Sequence, residues 1–166
     1  MTLKQQIKSE IIFALNAQKI DFNLIVIGES FGNSPKIFDK AKIEFDKQII
    51  KWGYQKSIED YINCLFMCDI MPVTSNHDFF GISVMEAVFC NVWPILPDRL
   101  SYKELFKNKG HTENIYTNDN QLMKKIEAAI KNIDQIRNQS LKKEAQKYDW
   151  KKLAGVYDYE LEKITL

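Results

Sequence analysis

The stretch from Ile70 to Leu96, IMPVTSNHDFFGISVMEAVFCNVWPIL, limits what this chain can fold into more than any other. Its apolar start, Ile70 to Val73, reads as a strand. A polar loop follows and closes on Gly81, and a helix leaves at once with Ile82, Val84, Met85, Ala87 and Val88 as its apolar residues. A strand that runs through a glycine-bearing loop straight into a helix belongs to α/β architectures. The start of such a helix presents backbone N–H groups and the positive end of the helix dipole, which suits a phosphate. Asp78 before the glycine and Glu86 about one turn into the helix bracket the turn. One carboxylate is then placed for the sugar end of a nucleotide-sugar and the other for its ribose hydroxyls, with the diphosphate between them.

In chain order, Ile7, Ile11, Ile12 and Leu15 give helical spacing from about Leu3 to Lys19. Phe22 to Ile27 reads as a buried strand ending at Gly28. Ser34-Pro35 opens a second helix, with Pro at a tolerated first-turn position, through Phe38, Ala41 and Phe45. Ile49 to Trp52 is a short strand ending in Gly53-Tyr54. Ser57, with Asp60 three residues on, reads as the N-cap of a helix from Ile58 to Met67. After the central strand and helix come a strand from Val92 to Leu96, a short helix near Tyr102 to Phe106 and a strand around Ile115. Helices at Asn120 to Asn132, Ile133 to Lys147 and from Asp149 complete the chain. Strands alternating with helices predict one α/β domain over residues 1–166, a Rossmann-like parallel sheet with helices on both faces.

The string HDFFGISVMEAVFCNVWPILPDRLSYKEL resembles retaining GT-B glycosyltransferases of family 4, with Asp78 and Glu86 at the acidic positions of their E-x7-E region. Its His-acid-Phe-Phe-Gly and Arg-Leu-x-Tyr-x-Glu-Leu runs look most like the tRNA-queuosine mannosyltransferase-like branch. The likeness extends from about Ile11 to the C-terminus and covers only the second, donor-binding domain of such enzymes. It implies transfer of a hexose from a nucleoside diphosphate sugar to a hydroxyl with retention of configuration. It further implies Asp78 and Glu86 as catalytic residues, with His77 at the hexose and Phe80, Gly81, Ile82 and Ser83 around the donor. Asp78 is a methylene shorter than the glutamate most relatives carry. In the branch, GDP-mannose would be the donor and the queuosine of a tRNA the acceptor, met through an N-terminal acceptor domain or a complementing chain.

Several positions have two readings. Gly28 and Glu29 end a strand at the edge where ligands bind in open α/β sheets, or form a plain turn. Gly53 and Tyr54 either border the nucleobase or make a turn with a surface tyrosine. Ser83 caps the helix, donates to a phosphate, or does both. The stripe Trp150, Leu153, Val156, Tyr157, Leu161 either braces another domain, as the resemblance implies, or packs as core on this one. A binding module without turnover competes with the enzyme.

The front of the chain departs from the expected pattern. In a doubly wound sheet the first strand lies centrally, yet the first element here is already the helix that should follow it. Adjacent strands lie ~4.8 Å apart, so omitting that strand leaves a gap near twice that width. Either the sheet closes up, or another chain supplies the strand, or the strand belongs to a longer parent. Lys4 and Lys8 are nearby cations, but they do not match the family's phosphate-binding pair.

Composition narrows the classes. A net charge of +1 points to neither nucleic acid nor an acidic membrane as a direct partner. No apolar run approaches the ~20 residues that span a bilayer. With three cysteines, an odd count, the chain reads as a soluble, cytoplasmic protein. Cys64 and Cys68, one helical turn apart, read as apolar filling and not as a metal site. There is no Asp-x-Asp to hold a catalytic metal and no GxGxxG after a strand, so a metal-independent transferase is favoured over a dinucleotide oxidoreductase.

Overall fold

A computed structural model of the protein describes residues 9–28 and 36–165. In chain order the elements are α1 (Ser9–Ala17), β1 (Leu24–Ile27), α2 (Lys36–Glu44), β2 (Ile49–Gly53), α3 (Ile58–Phe66), β3 (Ile70–Pro72), α4 (Ile82–Phe89), β4 (Trp93–Pro97), α5 (Tyr102–Leu105), β5 (Ile115–Tyr116), α6 (Asp119–Lys131), α7 (Ile133–Arg137), α8 (Lys142–Gln146) and α9 (Trp150–Thr165). The Ser57 hydroxyl accepts from the Asp60 N–H at 3.0 Å, so α3 starts on the cap its sequence announces. The expected helix starts before Ser9 and at Ser34-Pro35 lie outside the described residues.

β4 is buried along its whole length. Trp93 and Ile95 pack with Leu15, Tyr116, Leu122 and Ile126 on one face. Leu96 packs with Val73, Val84, Met85, Val88 and Tyr102 on the other. That alternation is what a strand covered on both faces requires. β3 and β5 pair with β4 in parallel on either side.

Two prolines in a central strand would ordinarily break its ladder. Here the Trp93 N–H donates to Asp69 and the Val73 N–H to Ile95, which turns Pro94 away from β3. β5 begins only at the level of Leu96, and the Asn114 side-chain amide donates to the Pro94 carbonyl at 2.7 Å. The missing N–H of Pro94 therefore removes no ladder bond.

One expectation needs correcting, and two open alternatives narrow. The helix expected from Ile133 to Lys147 is two helices, α7 and α8. Polar side chains compete with its backbone: the Asn138 amide donates to Asp134 O at 2.9 Å, and the Ser140 hydroxyl donates to Asn91 Oδ1 at 2.7 Å. The C-terminal stripe is not core among the described residues, since Trp150 (66%), Val156 (56%), Tyr157 (54%) and Leu161 (59%) are exposed on α9. Finally, the sheet does not close over its missing strand. Among the described residues β1 pairs in parallel with β2 alone, as a second, two-stranded sheet. Both β1 and β3 line a cavity of about 610 Å³. No helix among the described residues is long and apolar enough to cross a membrane.

Candidate functional site

The loop between β3 and α4 is held by its own aspartate. Asp78 Oδ1 accepts from the Gly81 N–H at 2.7 Å, and Oδ2 accepts from the Tyr102 hydroxyl at 2.6 Å. Tyr102 is fully buried at the start of α5, and burial together with the Asp78 carboxylate pushes its phenol well above the usual tyrosine value. Gly81 sits at φ +85°, in the left-handed region, and a Cβ there would stand 3.0 Å from Tyr102 Cε1. Glycine is thus required for both conformation and space. Arg99, just after β4, braces the other end of the loop. Its Nε donates to Ser75 O at 2.9 Å and its Nη2 to Thr74 O at 3.1 Å.

At the start of α4 the first helical bond is Met85 N–H to Gly81 O. The N–H groups of Ile82, Ser83 and Val84 therefore precede the ladder, and they need an acceptor from outside the helix. The Gly81 N–H, by contrast, is already taken by Asp78. Ser83 is buried and makes no capping bond; the N-cap residue is Gly81, so of the two readings of Ser83 capping is not the one observed. Glu86 lies on an exposed position of the helix, not inside an apolar face. Its Oε2 accepts from the Tyr61 hydroxyl of α3 at 2.8 Å. Burial and that carboxylate raise the Tyr61 phenol well above its ordinary value.

The residues around the loop are exposed: His77, Phe79, Phe80 and Ile82, with the Phe80 ring edge-on to Tyr148 at 4.9 Å. Gly28 and Gly53 are brought together at the ends of β1 and β2, where the Gly28 N–H donates to Gly53 O at 3.2 Å. Tyr54 is exposed beside them, and the Gln55 side chain donates to Gly53 O at 3.1 Å. Glu29 lies outside the described residues. Ile27, the last residue of β1, and Ser83 of α4 line the same cavity; Gly28, Gly53 and Tyr54 do not.

Three side chains of this site, Tyr61, Arg99 and Tyr102, carried no role in the sequence reading. For Arg99 and Tyr102 the signal was there in the Arg-Leu-x-Tyr run, which places both on the segment that follows β4. Tyr61 offered none, because an aromatic at helical spacing reads as packing. Cys64 is buried, and the Cys68 thiol, pushed up to about 11 by burial, donates to Cys64 O at 3.2 Å. Among the described residues no three His, Cys, Asp or Glu side chains group as a metal site would.

Comparison with known proteins gives this geometry a context. The model of the family described as Glycosyl transferases group 1 matches residues 5–148. The chain is 32% identical over 112 residues to the tRNA-queuosine alpha-mannosyltransferase of Drosophila melanogaster, an alignment covering 68% of this chain and 28% of that protein. It thus spans under a third of that relative's length. With a match over most of its length, on parallel strands flanked by helices, this chain belongs to the group 1 glycosyl transferases.

Proposed function

We propose that the chain is the donor-binding domain of a retaining glycosyltransferase and holds a nucleoside diphosphate sugar at the β3–α4 loop. The observation that carries this reading is the start of α4, where the Ile82, Ser83 and Val84 amides precede the helical ladder on the helix that bears Glu86. In this reading the amides donate to the distal phosphate, and Glu86 accepts from the ribose hydroxyls. Gly28, Glu29, Gly53 and Tyr54 border the base. Asp78 positions the loop through both oxygens, and each oxygen keeps a second lone pair for a hydroxyl of the hexose. His77 stands beside it. As the bond from sugar to phosphate breaks, charge grows on the departing diphosphate, and fixed amide donors stabilise that charge without having to reorganise.

The likeness to a tRNA-queuosine alpha-mannosyltransferase favours mannose, carried as GDP-mannose, and a tRNA queuosine as acceptor. The acceptor would be bound by an N-terminal domain or a complementing chain, and the exposed stripe of α9 suits a brace for it. Three free cysteines suit the cytoplasm. A second reading, a nucleotide-sugar-binding module without turnover, is favoured by Asp78, which is short and engaged on both oxygens.

Calorimetric titration of GDP and GDP-mannose into the wild type and Glu86→Gln tests the proposal. Saturable GDP binding that weakens by ~1–3 kcal/mol in the variant, at unchanged melting temperature, is expected. Equal affinity with a lower melting temperature would make Glu86 a structural partner of Tyr61. A preference of the wild type for GDP-mannose of about tenfold, or ~1.4 kcal/mol, marks an enzyme's donor site; equal affinities mark the module.

A further inference from the structure

The hydroxyl of Tyr61 is given to a carboxylate that folding does not require it to satisfy. Ser57 caps α3, and the Tyr61 N–H donates to Ser57 O at 3.2 Å, so Tyr61 stands in the first turn of that helix. Its half-buried ring packs against Leu65, Ala87 and Val92, contacts that a phenylalanine would make equally well. The hydroxyl leaves this apolar cluster and donates to Glu86 Oε2 at 2.8 Å. Glu86 is exposed, so water would satisfy its carboxylate if the phenol were absent. A bond of this kind adds little to stability.

Its effect is on direction. Helical side chains lean toward the N-terminus of their helix, so Glu86 lies over the turn that begins with the Ile82, Ser83 and Val84 amides. A diphosphate resting on those amides repels the carboxylate toward solvent. A long side chain also gives up rotamer freedom when a ligand holds it. The Tyr61 hydroxyl opposes both effects by fixing Glu86 before the ligand arrives. Burial and the Glu86 carboxylate raise the phenol well above its ordinary value, so it remains a donor at neutral pH.

The direction of that proton also decides what the pair can recognise. With the phenol donating to Oε2, the groups left over are all acceptors: Oε1, the second lone pair of Oε2, and the phenol oxygen itself. Such a pair has no donor for a phosphate or a carbonyl. It fits a ligand that brings two donors close together, as the vicinal hydroxyls of a ribose do.

We propose that Tyr61 is a positioning residue for the nucleoside diphosphate, holding Glu86 so that its carboxylate reads the two ribose hydroxyls. The inference rests on the donor reading above and adds to it a residue of α3, outside the β3–α4 segment.

The test is calorimetric titration of GDP and of 2′,3′-dideoxy-GDP into the wild type, Tyr61→Phe, Glu86→Gln and the double variant, with thermal melts alongside. The wild type should favour GDP by about tenfold or more. Tyr61→Phe should cut that preference by roughly three- to tenfold through weaker GDP binding alone, with the dideoxy nucleotide bound as before and a melting temperature within about 2 °C of wild type. The double variant should bind GDP as Glu86→Gln does, because the phenol acts through the carboxylate. If Glu86→Gln loses the preference while Tyr61→Phe keeps it, or weakens both nucleotides equally, the role of Tyr61 is overturned and ribose reading by Glu86 stands. A wild type that binds neither nucleotide, binds both alike, or keeps its preference in Glu86→Gln would overturn the donor reading at Glu86 and the role of Tyr61 with it.

Discussion

The bond from Tyr102 to Asp78 makes a sharp prediction for Tyr102→Phe. The substitution removes one hydroxyl and leaves a fully buried ring in place, so its effect reports the bond and not the packing. A hydrogen bond of 2.6 Å to a carboxylate is charge-assisted, and such bonds contribute ~1.5–3 kcal/mol net. Asp78 is only half-buried and keeps its bond to the Gly81 N–H, so water can replace part of what is lost. The lower half of the range, ~1.5–2 kcal/mol, is therefore expected. For a domain of this size that lowers the melting temperature by roughly 3–8 °C. The loss should not add to that of Asp78→Asn: the double variant should be more stable than the sum of the singles predicts by ~1 kcal/mol. Affinity for GDP should fall alongside, because the loop sets the direction of the α4 amides. Thermal melts of the four proteins give the cycle. A single variant that melts within about 1 °C of wild type, with effects that add, would refute the reasoning.

Gly81→Ala forces a Cβ into the left-handed region and against the Tyr102 ring, so a loss of ~1–3 kcal/mol is expected in urea denaturation, with Tyr102→Ala in the same chain relieving the clash but not the backbone strain. Arg99→Ala removes the two hydrogen bonds that Arg99 donates to the loop and should cost about 2 kcal/mol; Arg99→Lys should rescue little, since an ammonium cannot reproduce the fork. Burial pushes the Tyr116 phenol up to about 12 while its hydroxyl donates to Val73 O. The unfolded phenol ionises first, near the ordinary tyrosine value of 10.0, so stability should fall as pH rises from there toward about 12. Alkaline melts of Tyr116→Phe should show a shallower fall than those of wild type.

The sequence carries the order of elements because each element is signalled locally. Ser57 announces α3, and Gly81 with the apolar residues after it announces α4. β4 was legible despite its prolines, because its apolar run is short and uninterrupted; why Pro94 is tolerated was not, since that depends on Asn114, twenty residues away. The site divides in the same way. Asp78, Gly81 and Glu86 stand close together in the chain and could be grouped by spacing. Their partners Tyr102 and Tyr61 lie 24 and 25 residues away, brought near only by the packing of α5 and α3. Spacing therefore suggested two free carboxylates, whereas folding ties one to the loop it shapes and hands the other a phenol. The break between α7 and α8 was hidden for a related reason. Apolar positions continue through Leu141, while the stop comes from polar side chains whose partners include Asn91 on a distant turn.

In the proposed donor site the diphosphate of a nucleotide-sugar rests on the start of α4. Backbone amide resonances of the protein, followed as GDP is added, test it directly. Saturable shifts are expected, largest at Ile82, Ser83 and Val84, with Glu86→Gln reaching the same shift pattern only at higher GDP concentration. Saturable binding that moves amides elsewhere and leaves these three unchanged would contradict it.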